Sequence, residues 1–127
     1  MQYKVLFIFV SLHHKIIIIM NTDNVKSQMR KGILEYCILL ILNRRKAYAN
    51  DIIQLLQEAR LIVVEGTLYP LLTRLKNMDL LTYQWIESNQ GPPRKYYELT
   101  SNGELFLVEL EQAWREITET ISHIKEL

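Results

Sequence analysis

The chain has 127 residues, 49% of them hydrophobic and 23% charged, with a formal net charge of +1. This bounds it to one small domain with a single modest core, and the single cysteine excludes an internal disulfide and suits a reducing cytoplasm. Charge alone does not name nucleic acid as a partner, but its distribution is uneven. Residues 20–99 hold eleven Lys/Arg against eight Asp/Glu, whereas residues 100–127 hold two against six.

Residues 1–19 differ from the rest. They carry Lys4 and Lys15, no acidic residue, and two apolar runs, Val5–Val10 and Ile16–Met20. Ser11-Leu12-His13-His14-Lys15 interrupts these runs, so no span is expected to reach the length of a transmembrane helix. Neither the longer apolar centre nor the small-residue cleavage site of a signal peptide is clear. Residues 1–19 are therefore expected to be a leader from an upstream start codon, absent or disordered in a working protein that starts near Met20. A short membrane anchor is the alternative.

Helix one is predicted from about Ser27 to Asn43, with apolar residues around most of its circumference, as a central buried helix requires. Cys37 lies in that apolar run and reads as core packing rather than a redox sensor. Arg44-Arg45-Lys46 follows and complements the helix C-terminal dipole. Helix two is predicted at about Tyr48–Glu58, with Tyr48, Ile52, Leu55, Leu56 and Ala59 on one face; Arg60–Val64 is the turn that follows.

Residues 66–78, placed at about 100° per residue, gather Leu68, Leu71, Leu72, Leu75 and Met78 into one core-facing stripe. The opposite side carries Gly66, Pro70, Thr73 and Asn77, flanked by Tyr69, Arg74 and Lys76. Small residues there let a backbone approach a groove floor, and Thr, Asn and Arg can bond base edges or phosphates. Pro70 lacks a backbone N–H, so the helix must start near Glu65–Thr67. A solvated helix face would show much the same pattern.

Leu81–Ile86 and Lys95–Leu99 are rich in β-formers and alternate as strands do. Between them, Ser88-Asn89-Gln90-Gly91-Pro92-Pro93 is expected to form an exposed turn that does not continue either strand. Arg94 and Lys95 leave that tip in a position suited to phosphates, although basic residues at hairpin edges also discourage edge aggregation. A helix with a polar, basic face beside a basic hairpin predicts a mostly α fold with a small β-hairpin, a winged helix-turn-helix that grips DNA.

The C-terminal helix, about Ser101–Leu127, has the clearest period. Leu107, Leu110, Trp114, Ile117, Ile121 and Ile124 step by 3, 4, 3, 4 and 3 residues, a coiled-coil-like seam. A second copy of the chain is expected to cover most of it, with helix one of the same subunit covering part. The domain plan is thus residues 1–19 leader, 20–100 DNA-binding domain and 101–127 dimerisation helix. A twofold dimer would hold two recognition helices roughly 34–36 Å apart and read a pseudo-palindromic operator.

Two motifs resemble the PadR family of bacterial transcriptional regulators. They are Gly66-Thr67-Leu68-Tyr69-Pro70 and the wing string Gly91-Pro92-Pro93-Arg94-Lys95-Tyr96-Tyr97-Glu98-Leu99-Thr100-Ser101-Asn102-Gly103. The resemblance covers about residues 26–126 and implies a dimeric winged-helix repressor with a single C-terminal helix. One departure is Met78-Asp79-Leu80, where the family commonly has Gly, so Asp79 must accept the helix C-cap conformation. In this architecture Lys26, Arg30 and Lys31 at the start of helix one come within reach of the DNA backbone, and Tyr48 and Thr67 join the contact set. Gln112-Ala113-Trp114-Arg115-Glu116-Ile117 resembles a segment of the multidrug-binding subgroup, in which a Trp lines a dimer-interface pocket and stacks on flat ligands. The resemblance implies that Trp114 contacts a small aromatic effector; plain packing in the seam explains the same residue equally.

Catalysis has no supporting motif: there is no His-x-x-Glu-His, paired Cys, phosphate-binding Gly-rich loop or nucleophile elbow. His13-His14 alone make a poor metal site. The expectation is a non-enzymatic, cytoplasmic, homodimeric regulator without cofactor, metal or membrane partner. It would be a transcriptional repressor that binds double-stranded DNA, released by an effector or controlled by its abundance. The alternative from another class is a winged-helix module for protein assembly.

Overall fold

A computed structural model describes residues 2–127; Met1 of the expected leader lies outside the described residues. The element order is α1 (Gln2–Arg44), α2 (Ala49–Glu58), α3 (Glu65–Asn77), β1 (Leu81–Ser88), β2 (Gly91–Leu99) and α4 (Ser101–Lys125). This is the mostly helical fold with one antiparallel hairpin that the periodicities predict. The chain divides into two compact units, one ending at Leu34 and the other spanning Glu35–Leu127.

The first unit corrects two expectations. Helix α1 starts at Gln2 rather than near Ser27, because no Pro or Gly interrupts the chain before Gly32 and nothing terminates a helix there. Among the described residues this is also one helix long and apolar enough, by length and composition, to cross a membrane. The Ser11–Lys15 break, expected to rule such a span out, is too short to end the helix or its apolar character. Tyr3, the apolar side chains of Val5–Val10 and Ile16–Met20 are all exposed.

In the second unit, Ile38, Leu39, Ile52, Leu68, Leu72, Leu75 and Leu81 are fully buried. They come from α1, α2, α3 and β1, so the core lies where the three helices meet the root of the hairpin. Burying each such side chain contributes about 1.5–3 kcal/mol. The helical wheel of α3 holds for Leu68, Leu72 and Leu75, whereas Met78, assigned to the same stripe, is 44% exposed. Met78 is the C-cap, where the chain is already leaving the helix.

Both turns flanking α3's neighbours in the core close in the same way. After α2, the Arg60 and Leu61 N–H groups donate to Gln57 and Leu56 carbonyls at 2.9 and 2.8 Å. After α3, the Asp79 and Leu80 N–H groups donate to Lys76 and Leu75 carbonyls at 2.9 and 3.0 Å. This bond pair needs a left-handed residue, and Arg60 (φ 66°) and Asp79 (φ 61°) take that role without being glycine.

The hairpin is longer than predicted. Strand β2 begins at Gly91, so Gly91-Pro92-Pro93 lies in the strand and not in the turn. The register pairs Trp85 with Lys95, Ile86 with Arg94 and Ser88 with Gly91, so Glu87 faces both Pro92 and Pro93 in a bulge. In a two-stranded ribbon each strand has a free edge, and a bulge there tolerates proline's missing N–H. At the other end, Ala47 bridges Tyr97 through bonds of 3.2 and 2.8 Å, tying the α1–α2 link to the wing.

Candidate nucleic-acid interface

Pro70 lies inside α3, in its second turn, where its missing N–H costs the helix one i→i−4 hydrogen bond. Gly66, Thr67, Tyr69, Pro70, Thr73, Arg74 and Asn77 are all exposed, so the outer face predicted for this helix is free. Arg74 is not an unengaged cation: its Nη1 donates to Glu35 Oε1 on α1. That pair holds the guanidinium at the base of the face.

The wing's register puts Tyr83 and Trp85 of β1 on one face with Tyr97 and Lys95 of β2. This face lies against α3. Lys76 Nζ sits 5.3 Å from the Tyr83 ring centre and Lys95 Nζ sits 4.5 Å from it. Exposure rises along the face: Tyr97 is 5% exposed and Trp85 62%. Burial and the neighbouring Tyr69 and Tyr83 push the Tyr97 phenol above its ordinary value.

A cavity of about 320 Å³ opens between the wing, the outer face of α3 and the start of α2. Tyr69 and Thr73 line it from α3, Tyr48 and Asn50 from α2, and Trp85, Arg94 and Lys95 from the wing. Tyr48, the N-cap of α2, donates its backbone N–H to Asp51 Oδ2 at 3.4 Å. The Tyr48 ring is held between Tyr96, at 5.3 Å between centroids, and the Arg94 guanidinium at 4.6 Å. The structure thus brings Tyr48, Tyr69, Thr73, Arg94 and Lys95 together. Lys26, Arg30 and Lys31 are exposed on α1 in the other unit. Trp85 and Asn50 were not singled out from the sequence, yet both line the cavity. The signal for Trp85 was its two-residue spacing from Tyr83 in an alternating strand; Asn50 left none.

The α4 seam is covered unevenly. Leu107 is 3% exposed, packed within its own subunit. Leu110 is half-buried. Trp114, Ile117, Ile121 and Ile124 are 40–59% exposed. The short first part of α4 packs on the hairpin root, and the remainder outruns the subunit's own core. Tyr36 of α1 lies 6.2 Å from Trp114 between ring centroids. Cys37, beside it, is only half-buried rather than fully enclosed, and burial pushes its thiol above the ordinary range.

Comparison with known proteins agrees with this architecture. Residues 38–109 match the model of the transcriptional regulator PadR-like family. An X-ray structure of a PadR-like transcription factor from Bacteroides fragilis is 73% identical, covering 80% of this chain and 98% of its own, with a TM-score of 0.69. A PadR-like transcriptional regulator from Bacillus cereus is 36% identical, covering 76% and 95% of the two chains, with a TM-score of 0.68. An uncharacterized protein of Lysinibacillus sphaericus is 30% identical over 100 residues, covering 76% of this chain and 92% of its own. With its winged helix and the family match over most of that unit, the chain belongs to the PadR-like family of transcriptional regulators, which are DNA-binding regulators and not enzymes.

Proposed function

We propose that this protein is a homodimeric cytoplasmic repressor, in which residues 20–127 form the working regulator. The observation that carries this reading is the exposed outer face of α3 standing across a cavity from the basic wing residues Arg94 and Lys95. Gly66, Thr67, Tyr69, Pro70, Thr73, Arg74 and Asn77 would meet a major groove, and Arg94 and Lys95 the flanking phosphates. Lys26, Arg30 and Lys31 add charge for further backbone contacts. The exposed stripe of Trp114, Ile117, Ile121 and Ile124 supports a second copy as the partner along α4.

A flat aromatic effector at Trp114 would regulate this dimer by binding one inter-subunit angle better than another. The partly open indole beside Tyr36 supports that reading. With Trp85 replaced by Phe to isolate the signal, flat aromatic compounds should quench Trp114 fluorescence. Absence of quenching would leave a repressor controlled by abundance.

The decisive experiment is binding to DNA from upstream of its own gene against a scrambled duplex, across a salt series. Selective binding that weakens steeply with salt is expected. No binding even at low salt would overturn the reading in favour of a protein-assembly module. Arg74→Ala, if it weakens all sequences equally, assigns Arg74 to the backbone rather than to bases.

A further inference from the structure

We infer that Trp85 is a DNA-contacting residue, packing its indole against the sugar–phosphate backbone of the duplex strand that enters the cavity between α3 and the wing. The inference rests on the DNA-binding reading above and adds to it a residue and a mode of contact.

Trp85 is the first aromatic on the wing's inner face that the protein itself leaves uncovered. Tyr97, two positions deeper by the register, is buried in the core, and Tyr83 is half-buried against α3. Trp85 is 62% exposed yet held in place from two sides. The Tyr83 ring meets it edge-on at 90°, with centroids 6.2 Å apart. The Lys95 ammonium lies 5.2 Å from its ring centre, directly across the strand pair. An indole fixed in this way loses little side-chain entropy on binding, and its broad apolar face gains contact only from a partner that enters the cavity.

The surroundings specify that partner. Thr73 and Tyr69 offer hydroxyls on one wall, and Arg94 and Lys95 offer cations on the other. Such a lining suits an anion carrying an apolar face, and a deoxyribose with its phosphate is both. A protein segment would have to place acidic groups against Arg94 and Lys95, whereas a duplex carries negative charge along its whole backbone. Lys95 then serves two roles, neutralising a phosphate and pinning the indole beside it.

Apolar contact and charge neutralisation respond differently to salt, which gives the test. The full chain is titrated with upstream-gene and mixed-sequence duplexes across a salt series, as wild type, Trp85→Ala and Lys95→Ala. The wild type is also labelled with 5-fluorotryptophan, and its two ¹⁹F resonances are assigned with Trp85→Phe. Trp85→Ala should weaken binding about tenfold with an unchanged salt slope. Lys95→Ala should lower the slope by about 1. The Trp85 resonance should shift as duplex is added. Wild type that binds DNA while Trp85→Ala binds equally well, or while the Trp85 resonance stays unmoved, overturns this inference alone. Wild type that binds neither duplex overturns the DNA-binding reading and this inference together. The ¹⁹F measurement on wild type decides the matter even where Trp85→Ala fails to fold.

Discussion

Asn102 Nδ2 donates a 2.8 Å hydrogen bond to Asp79 Oδ2, joining the first turn of α4 to the turn between α3 and β1. The Thr100 hydroxyl reinforces the junction. It donates to the Asp79 carbonyl at 2.6 Å and accepts the Gly103 N–H at 3.0 Å as the α4 N-cap. The residue that departs from the family's glycine thus has its left-handed conformation supported by three side chains, its own included. The same junction links the recognition helix to the helix that carries the exposed stripe.

Substitutions at Asp79 should separate backbone strain from hydrogen bonding. Asp79→Ala keeps the left-handed requirement and loses the acceptor, so it should destabilise by about 1–2 kcal/mol. Asp79→Gly loses the same acceptor but relieves the strain, and should stay within about 0.5 kcal/mol of wild type. Urea denaturation of both variants is the check. Equal losses would mean that the turn conformation is not limiting.

Gly103 has a separate constraint. A Cβ built on it would lie 2.1 Å from the Leu80 carbonyl oxygen and 3.2 Å from Leu99 Cδ2. The first contact is with backbone that is itself hydrogen-bonded, since the Leu80 carbonyl accepts the Thr100 N–H at 3.1 Å. Gly103→Ala should therefore destabilise by about 3 kcal/mol, read as a lowered thermal midpoint. A midpoint close to wild type would show that α4 can slide off the turn at little cost.

The α4 stripe predicts an assembly phenotype. Ile117→Lys with Ile121→Lys places two charges on side chains 51% and 46% exposed in the isolated subunit, so folding should survive. Dimerisation should not, and tight DNA binding should go with it. Sedimentation velocity is the direct measurement, and an unchanged sedimentation coefficient would sink the proposed seam.

Alkaline stability follows from two raised pKa values. Burial lifts the Cys37 thiol above its ordinary 9.0 and the Tyr97 phenol above its ordinary 10.0. The unfolded chain therefore gives up these protons at lower pH than the folded chain does. The stabilisation is complete below about pH 9 and is lost as the pH rises through the folded values. Denaturation midpoints should fall across that window, and Cys37→Ala should remove the earlier part of the fall. A midpoint that is flat to about pH 10 would contradict the burial of Cys37, since the Tyr97 contribution is lost only above that pH.

Much of this fold was legible in one dimension because its signals are local. The leucine spacing of α3, the Pro70 position and the alternation of Leu81–Ile86 each follow from backbone periods of 3.6 and 2. The two motifs that carry the family resemblance are short and contiguous, so no contact map was needed to see them. The start of α1 is not legible in composition, because a change of composition does not end a helix as Pro, Gly or a cap does. The turn of the wing is narrower than its composition suggests, because Pro92 and Pro93 argue against a strand in general, and a bulge at a free edge is a tertiary exception.

By itself, then, the sequence determined the order and type of the elements and the chemistry exposed on α3 and the wing tip. Those properties depend on neighbours within a few residues. Only the tertiary structure decided that Leu107 is spent on the subunit's own core, that Glu35 holds Arg74, and that Trp85 opens onto the cavity beside Lys95. Each of these joins residues from different elements, and their distances are set by packing that no local period encodes.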